Sequence, residues 1–210
     1  QNRYFMIQRG SDSMPNEIKG FALDDFIKKY RPSNSTSPEI NVSIKPDVNY
    51  LNIRGSVNDR NFLEHAESIL QQALPLEFNT FTVGDHHIYW LGPNEWLVVT
   101  DFDLDSILQK ISKKIDLYAT NQTGGLTQLI LRGNCVRSLL ARGCTLDVSK
   151  GNFLIGQCAQ TGLSKAGILL ALTDSSPSFN LIVRRSFAEY VGLWLEQSGS
   201  EFGINFVQEH

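Results

Sequence analysis

The sequence predicts an α+β fold made of two similar halves, each with the element order β-α-β-β-α-β. Three observations predict this fold. A strand-like pattern at Leu51–Gly55 recurs at Leu129–Gly133, apolar residues at helical spacing follow each copy, and both halves then carry short apolar runs separated by turn residues. This order is typical of the ferredoxin-like unit, in which helices cover one face of a mostly antiparallel sheet. We expect an N-terminal arm over residues 1–45, a first half over 46–123 and a second half over 124–210.

The N-terminal arm shows no sustained periodicity, and its stretch Pro32–Pro38 is rich in turn-forming residues, which predicts a loop. Its large apolar residues include Phe5, Met6, Ile7, Phe21, Leu23, Phe26 and Ile27. The last four fit one short helix that ends before the proline-rich stretch, because proline disfavours helical geometry in the residue before it. An arm this apolar is not a simple solvated tail. It packs either on its own domain or on a partner, and the sequence leaves both open.

The elements of the first half follow from alternation and helical spacing. Leu51–Gly55 alternates like a strand, and a helix follows it up to Pro75. The apolar stripe of that helix is Phe62, Ala66, Ile69, Leu70 and Ala73. Two strands, Ile88–Leu91 and Trp96–Thr100, then form a hairpin across turn residues. Asp103 is expected to cap a second helix, and a closing strand is expected over residues 116–120.

The second half repeats this plan from Leu129–Gly133 onward. Its first helix is expected to bury Val136, Leu139 and Leu140 and to end at Gly143 in a left-handed conformation. The expected strands are Cys158–Leu163, Ile168–Thr173 and Phe179–Val183. Ser186 and Glu189 match a capping box for a last helix. The buried stripe expected for that helix is Phe187, Tyr190, Val191, Trp194 and Leu195.

Composition excludes several partners. The 210 residues carry 19 basic and 22 acidic side chains, a net charge of -3, and no dense basic stripe, so nucleic acid is not an expected partner. No apolar run approaches the roughly 20 residues that a membrane-spanning helix needs. The opening residues show no apolar signal region. We therefore expect a cytoplasmic protein without a membrane segment.

A search for catalytic and binding motifs finds none with specific spacing. The three cysteines, Cys135, Cys144 and Cys158, match no zinc or redox pattern, and we expect them to be unpaired and free of metal. His86 and His87 are adjacent on a predicted strand, so they point to opposite faces and do not chelate one metal as a pair. No glycine-rich dinucleotide fingerprint follows a strand. The residues therefore predict no catalytic, cofactor-binding or metal-binding residue in this chain.

Two carboxylates and three tryptophans are weaker candidates for functional residues. The carboxylates that flank the predicted hairpin, Asp85 and Glu95, are expected to be solvated, because no second acid at defined spacing suggests acid–base chemistry. For Trp90, Trp96 and Trp194 core packing is the favoured interpretation. The alternative is that one of them anchors a protein interface, where tryptophan is enriched.

Four runs, taken together and in order, resemble the gamma subunit of heterotetrameric sarcosine oxidase. They are Trp90–Leu97, Arg142–Asp147, Cys158–Thr161 and Arg185–Tyr190, and the resemblance extends over about residues 50 to 203. It implies a structural, non-catalytic gamma subunit beside larger alpha and beta subunits and a small delta subunit. The implied assembly oxidatively demethylates sarcosine to glycine, passes the one-carbon unit to tetrahydrofolate and releases hydrogen peroxide.

The same resemblance has implications for cofactors and fold. It implies that FAD, FMN, NAD and tetrahydrofolate belong mainly to the two larger subunits and zinc to the smallest, with no cofactor in this chain. The family's gamma chain is also similar to the folate-binding domains of aminomethyltransferases, which agrees with two paired halves.

That relationship supplies an alternative function, a stand-alone folate-binding protein similar to aminomethyltransferases. Lys150–Gly151 and Gly156–Gln157 resemble part of the K-G-C-Y-x-G-Q-E signature of related iron–sulfur repair proteins. However, Asn152 replaces the cysteine and Cys158 replaces the glutamate, so the active thiol of that motif is absent. This alternative therefore ranks second, ahead of an unrelated adaptor with the same fold.

Overall fold

The strands and helices predicted after residue 50 occur in the predicted order, and three further strands accompany them. The computed structural model describes residues 23, 26, 27, 30, 38–45, 48–112 and 117–208. Its strands are β1 (Ile40–Ile44), β2 (Asn49–Arg54), β3 (Phe81–Val83), β4 (His87–Gly92), β5 (Glu95–Thr100), β6 (Tyr118–Asn121), β7 (Leu126–Arg132), β8 (Cys158–Leu163), β9 (Ala166–Asp174), β10 (Ser178–Arg184) and β11 (Ile204–Gln208). Its α-helices are α1 (Arg60–Leu70), α2 (Leu104–Ile111), α3 (Val136–Leu140) and α4 (Ala188–Gly199). No helix in the described residues is long and apolar enough to cross a membrane.

Residues 49–121 form a five-stranded antiparallel sheet in the order β3-β4-β5-β2-β6. Alternate side chains of a strand share one face, so Leu51 and Ile53 of β2 lie on the same side as Trp96 and Val98 of β5. Helices α1 and α2 cover this side, and their apolar stripes join it in one core. Asp103 caps α2 as predicted, because its carboxylate accepts hydrogen bonds from the first backbone amides of the helix.

A six-stranded sheet forms in the second half, in the order β11-β1-β7-β10-β9-β8. Helices α3 and α4 cover its outer face, with Leu139, Val191 and Leu195 in the core beneath them. The strand β1 comes from the segment before residue 45. It lies between β7 and β11, antiparallel to the first and parallel to the second. The second half therefore completes its sheet with a strand that precedes the first half in the chain.

The two sheets pack face to face. Tyr50, Tyr89 and Leu97 of the smaller sheet share a core with Leu169 and Ile182 of the larger one. The layers run helix, sheet, sheet, helix, and the three apolar cores lie between consecutive layers. This arrangement confirms the predicted α+β class, with sheets that are mostly antiparallel and helices on one face of each.

The described residues of the N-terminal arm pack on the larger sheet. The ring of Phe26 meets Phe206 of β11 edge-on, with 5.0 Å between the ring centroids. The hydroxyl of Tyr30 donates to the carbonyl of Ile204 at 2.5 Å, and Leu23 is fully buried. This part of the arm completes the core of the chain itself. Phe5, Met6, Ile7 and Phe21 lie outside the described residues.

The predicted end of α3 is wrong. The helix stops at Leu140, and Gly143 does not adopt a left-handed conformation. The glycine is required for a different reason, since a Cβ on Gly143 would lie 2.5 Å from Cζ2 of Trp194. Gly143 thus allows helix α4 to pack closely against the segment that follows α3.

The predicted capping box of the last helix is also wrong. Ser186 lies in a 3-10 turn, Arg185–Phe187, and α4 begins after it without a side-chain cap. The backbone amide of Ala188 instead donates to the carbonyl of Arg185. As a result Phe187 is 41% exposed, whereas the prediction placed it in the buried stripe.

Candidate functional site

A cluster of polar side chains lies between the two sheets. The side-chain amide of Asn180 on β10 donates to the hydroxyl of Tyr89 on β4 at 2.9 Å. Nδ1 of His87 lies 3.3 Å from the same hydroxyl. Alternation along β4 and β10 places these three side chains on the facing sides of the sheets. The cluster therefore fixes how the two halves align.

Burial favours the uncharged forms of the tyrosine and histidine side chains in this cluster. Burial raises the pKa of Tyr89, although the hydrogen bond from Asn180 opposes the shift. Burial lowers the pKa of His87, and the nearby Lys45 lowers it further. Both shifts favour the neutral side chains, which supports a structural role.

An open groove of about 460 Å³ runs along one edge of the inter-sheet contact. On its floor Oε1 of Glu95 accepts hydrogen bonds from Asn52 at 2.8 Å and from Arg54 at 2.7 Å. Burial tends to raise the pKa of Glu95, but these two hydrogen bonds outweigh it and hold the pKa below its ordinary value. Glu95 is thus not simply solvated, as the sequence suggested. It is an ionised carboxylate already paired within its own sheet.

The cysteines are free and differ in burial. Cys158 is fully buried between the sheets, and burial raises the pKa of its thiol to about 12. The thiolate is the nucleophilic form, so this thiol is unreactive at neutral pH. Cys135 and Cys144 are partly buried.

The histidines occupy separate environments. His86 is buried, with Nδ1 2.8 Å from the hydroxyl of Thr100 and its ring edge-on to Phe102. His65 lies on the outer surface of α1, and His210 lies outside the described residues. In the part of the chain that the structure describes, no three His, Cys, Asp or Glu side chains are grouped so that they could hold a metal ion.

The segment that resembles the iron–sulfur repair signature is a tightly bonded loop. Asn152, which follows Lys150–Gly151, donates its side-chain amide to the carboxylate of Asp147. The guanidinium of Arg137 donates to the carbonyls of Val148 and Phe153. These contacts assign Asn152 and Arg137 to the shape of the loop rather than to chemistry.

The tryptophans take part in packing. Trp96 is fully buried and its indole nitrogen donates to the carbonyl of Pro75 at 2.8 Å. Trp194 is partly buried over Gly143, and Trp90 packs against the core beneath α1 and α2. None of the three is exposed. The favoured interpretation, core packing, is confirmed for all of them.

Comparisons with known proteins bear on both fold and family. A family model described as the sarcosine oxidase, gamma subunit family matches residues 54–201. The structure is similar to a chain of a heterotetrameric sarcosine oxidase from Corynebacterium sp. U-96 in complex with pyrrole 2-carboxylate. The TM-score is 0.77 at 20% identity, and the match covers 91% of this chain and 100% of that chain.

A second similar structure is the glycine cleavage system aminomethyltransferase T from Bartonella henselae. Its TM-score is 0.57 at 12% identity, and the match covers 82% of this chain but 48% of that chain. At these identities the two structures establish a shared fold. A search of curated proteins found no match.

Proposed function

Because the chain belongs to the sarcosine oxidase gamma subunit family, we propose that it is the non-catalytic gamma subunit of a heterotetrameric assembly. Its partners would be larger alpha and beta subunits and a small delta subunit. The observation that carries the proposal is the family match over residues 54–201, because this range includes strands of both sheets and the contact between them. The match therefore concerns most of the fold and not a short motif.

The proposed assembly oxidatively demethylates sarcosine to glycine, passes the one-carbon unit to tetrahydrofolate and releases hydrogen peroxide. FAD, FMN, NAD, tetrahydrofolate and zinc would be held by the other subunits. The side chains of this chain support the assignment of the cofactors to the other subunits. Glu95 is paired with Asn52 and Arg54, and the Cys158 thiol is protonated and buried. In the proposed assembly these groups contribute to packing, and the redox chemistry would belong to the partner chains.

Within the described residues, no specific contact favours the stand-alone folate-binding alternative. This alternative is supported by a similar fold in an aminomethyltransferase. The match covers 48% of the aminomethyltransferase chain. Fold alone does not supply a folate site, which needs a cavity and placed polar groups. In the groove the polar groups of Glu95, Asn52 and Arg54 bind one another.

Co-expression with the candidate partners tests the proposal. The chain carries an affinity tag, and the genes for the large flavin-containing subunits of the same organism are expressed with it. We expect those subunits to elute with the tagged chain in a fixed ratio and to carry the flavin absorbance. The chain purified alone should be colourless and should not oxidise sarcosine. Flavin in the isolated chain, or elution without the large subunits, would contradict the proposal.

A further inference from the structure

Two cavities adjoin at Arg184, the last residue of β10. The first is the open groove of about 460 Å³ described above, which Arg184 lines together with Arg54 and Glu95. The second, of about 470 Å³, is lined by Gly124, Gly125, Arg184, Arg185 and Ser186. The side chain of Arg184 is exposed and belongs to the walls of both. We call the two cavities together the arginine groove.

The arginine groove carries unbalanced positive charge. The described residues that line it include three arginines and a single carboxylate, that of Glu95. This carboxylate is already paired with Arg54 at 2.7 Å. Arg184 forms no ion pair within the part of the chain that the structure describes. Because the whole chain has a net charge of -3, the positive charge is a local feature, and it favours an anionic group.

The floor of the arginine groove is apolar and comes from both sheets. Leu91 and Leu97 belong to the smaller sheet, and Leu169 and Ile182 belong to the larger one. The side-chain amide of Gln160 on β8 donates to the carbonyl of Leu91 on β4 at 2.8 Å and so links the sheets at the groove. A preformed site loses little conformational freedom when it binds. The arginine groove therefore presents a fixed apolar floor beside an exposed guanidinium group.

Charge and shape together select the occupant of the arginine groove. A symmetric contact with a second copy would place the same surface on both sides, and two sets of arginines would repel each other. Small-molecule sites enclose most of the ligand surface, whereas this groove is open to solvent. An extended segment of another protein meets both conditions when it carries a carboxylate beside an apolar side chain. Arginine binds a carboxylate through two parallel hydrogen bonds and is enriched at protein interfaces.

We propose that the arginine groove docks an acidic segment of a large flavin-containing subunit. Arg184 would bind a carboxylate of that segment, and an apolar side chain of the segment would lie on the groove floor. The inference rests on the proposed function and deepens it by assigning the docking surface and the charge of the segment that it takes. Both halves build the groove, so only the correctly stacked sheets present it.

The test uses the co-expressed assembly and charge variants of the tagged chain. Arg184→Glu reverses the charge in the groove, and Arg184→Gln removes it without adding a negative group. The control is Arg60→Glu on α1, which makes the same change in charge at a side chain that is 91% exposed. Its pair with Glu64, one turn along the helix, is exposed and contributes little to stability. The thermal midpoint of each isolated variant checks that the fold is kept.

We expect Arg184→Glu to weaken binding of the large subunits about tenfold or more, because the carboxylate of the partner would lose its guanidinium and face a like charge. Arg184→Gln should weaken binding less, and Arg60→Glu should bind like the unmodified chain. Normal binding by both Arg184 variants, or an equal loss in the Arg60→Glu control, would overturn the docking surface and leave the gamma-subunit function standing.

A second arm separates a partner segment from a small ligand. Benzoate, an apolar ring with one carboxylate, is titrated into the isolated chain by calorimetry, and we expect no saturable binding. Saturable binding of benzoate that Arg184→Gln abolishes would overturn the proposal in favour of a small carboxylate. If the unmodified chain does not bind the large subunits at all, the proposed function fails and the docking surface with it.

Discussion

The contribution of the N-terminal arm to stability can be measured through Phe26. Phe26 is 8% exposed and lies between Phe206 of β11 and Tyr30, with ring centroids 5.0 Å and 6.2 Å away. Its ring also lies close to Gly192 of α4, where an added Cβ would be 3.4 Å from it. Phe26→Ala removes the ring from this contact between arm, strand and helix.

The expected loss is about 3–4 kcal/mol of unfolding free energy. Replacing a buried phenylalanine by alanine costs roughly 3–5 kcal/mol, and an aromatic pair adds about 0.5–1.5 kcal/mol to the burial of its area. The lower part of that range applies because Phe26 is 8% exposed and not fully buried. For a chain of this length, the thermal midpoint should fall by roughly 10 °C.

The assay is urea unfolding followed by tryptophan fluorescence and circular dichroism. Phe78→Ala is the matched control, because Phe78 is 70% exposed and its removal should change stability by less than about 1 kcal/mol. A loss below about 1 kcal/mol for Phe26→Ala would refute the assignment of the arm to the core. If that variant kept its stability but lost the large subunits on purification, the arm would be an interface.

Three further predictions follow from contacts and titration. Gly143→Ala should destabilise the fold by about 1–3 kcal/mol, because the new Cβ overlaps the Trp194 ring, whereas Gly151→Ala, which meets nothing within 4 Å, should be nearly neutral in the same urea assay. In a thiol titration at pH 8, Cys158 should be the last cysteine to react in the folded chain, because burial raises its pKa to about 12; rapid reaction of all three would count against this. Burial lowers the pKa of His86, so the unfolded chain binds this proton at higher pH than the folded chain does. Stability should therefore be complete above about pH 6.5 and fall as the pH drops below it, and His86→Gln should reduce that dependence.

The predictable part of the fold is the part that local patterns encode. The alternation of apolar and polar residues predicted β2 and β7 as the first strand of each half. The turn residues after Leu91 predicted the β4–β5 hairpin. The bounds of β8, Cys158–Leu163, agree with the prediction. In each case the strand or turn depends on residues that are close together in the sequence. A single sequence therefore contains the information needed to predict it.

The parts that were missed depend on contacts between distant residues. No local pattern shows that β1 pairs with β11, because Ile40 and Ile204 lie far apart in the sequence. The same holds for Gly143, whose lack of a side chain is explained by Trp194 and not by the end of its own helix. The pairing of Glu95 with Arg54 likewise depends on the register of β2 and β5.

The stacking of the two sheets restricts where a partner can bind. Each sheet has helices on one face and the other sheet on the opposite face, so the central strands have both faces covered. Partners are then left with the helix surfaces, the sheet edges and the loops. Five of the ten large apolar side chains that the described residues expose lie within four residues of the bridge between Thr80 and Gln157, which precede the edge strands β3 and β8. These side chains lie outside the stacked faces of the sheets, on surface that remains accessible to a partner.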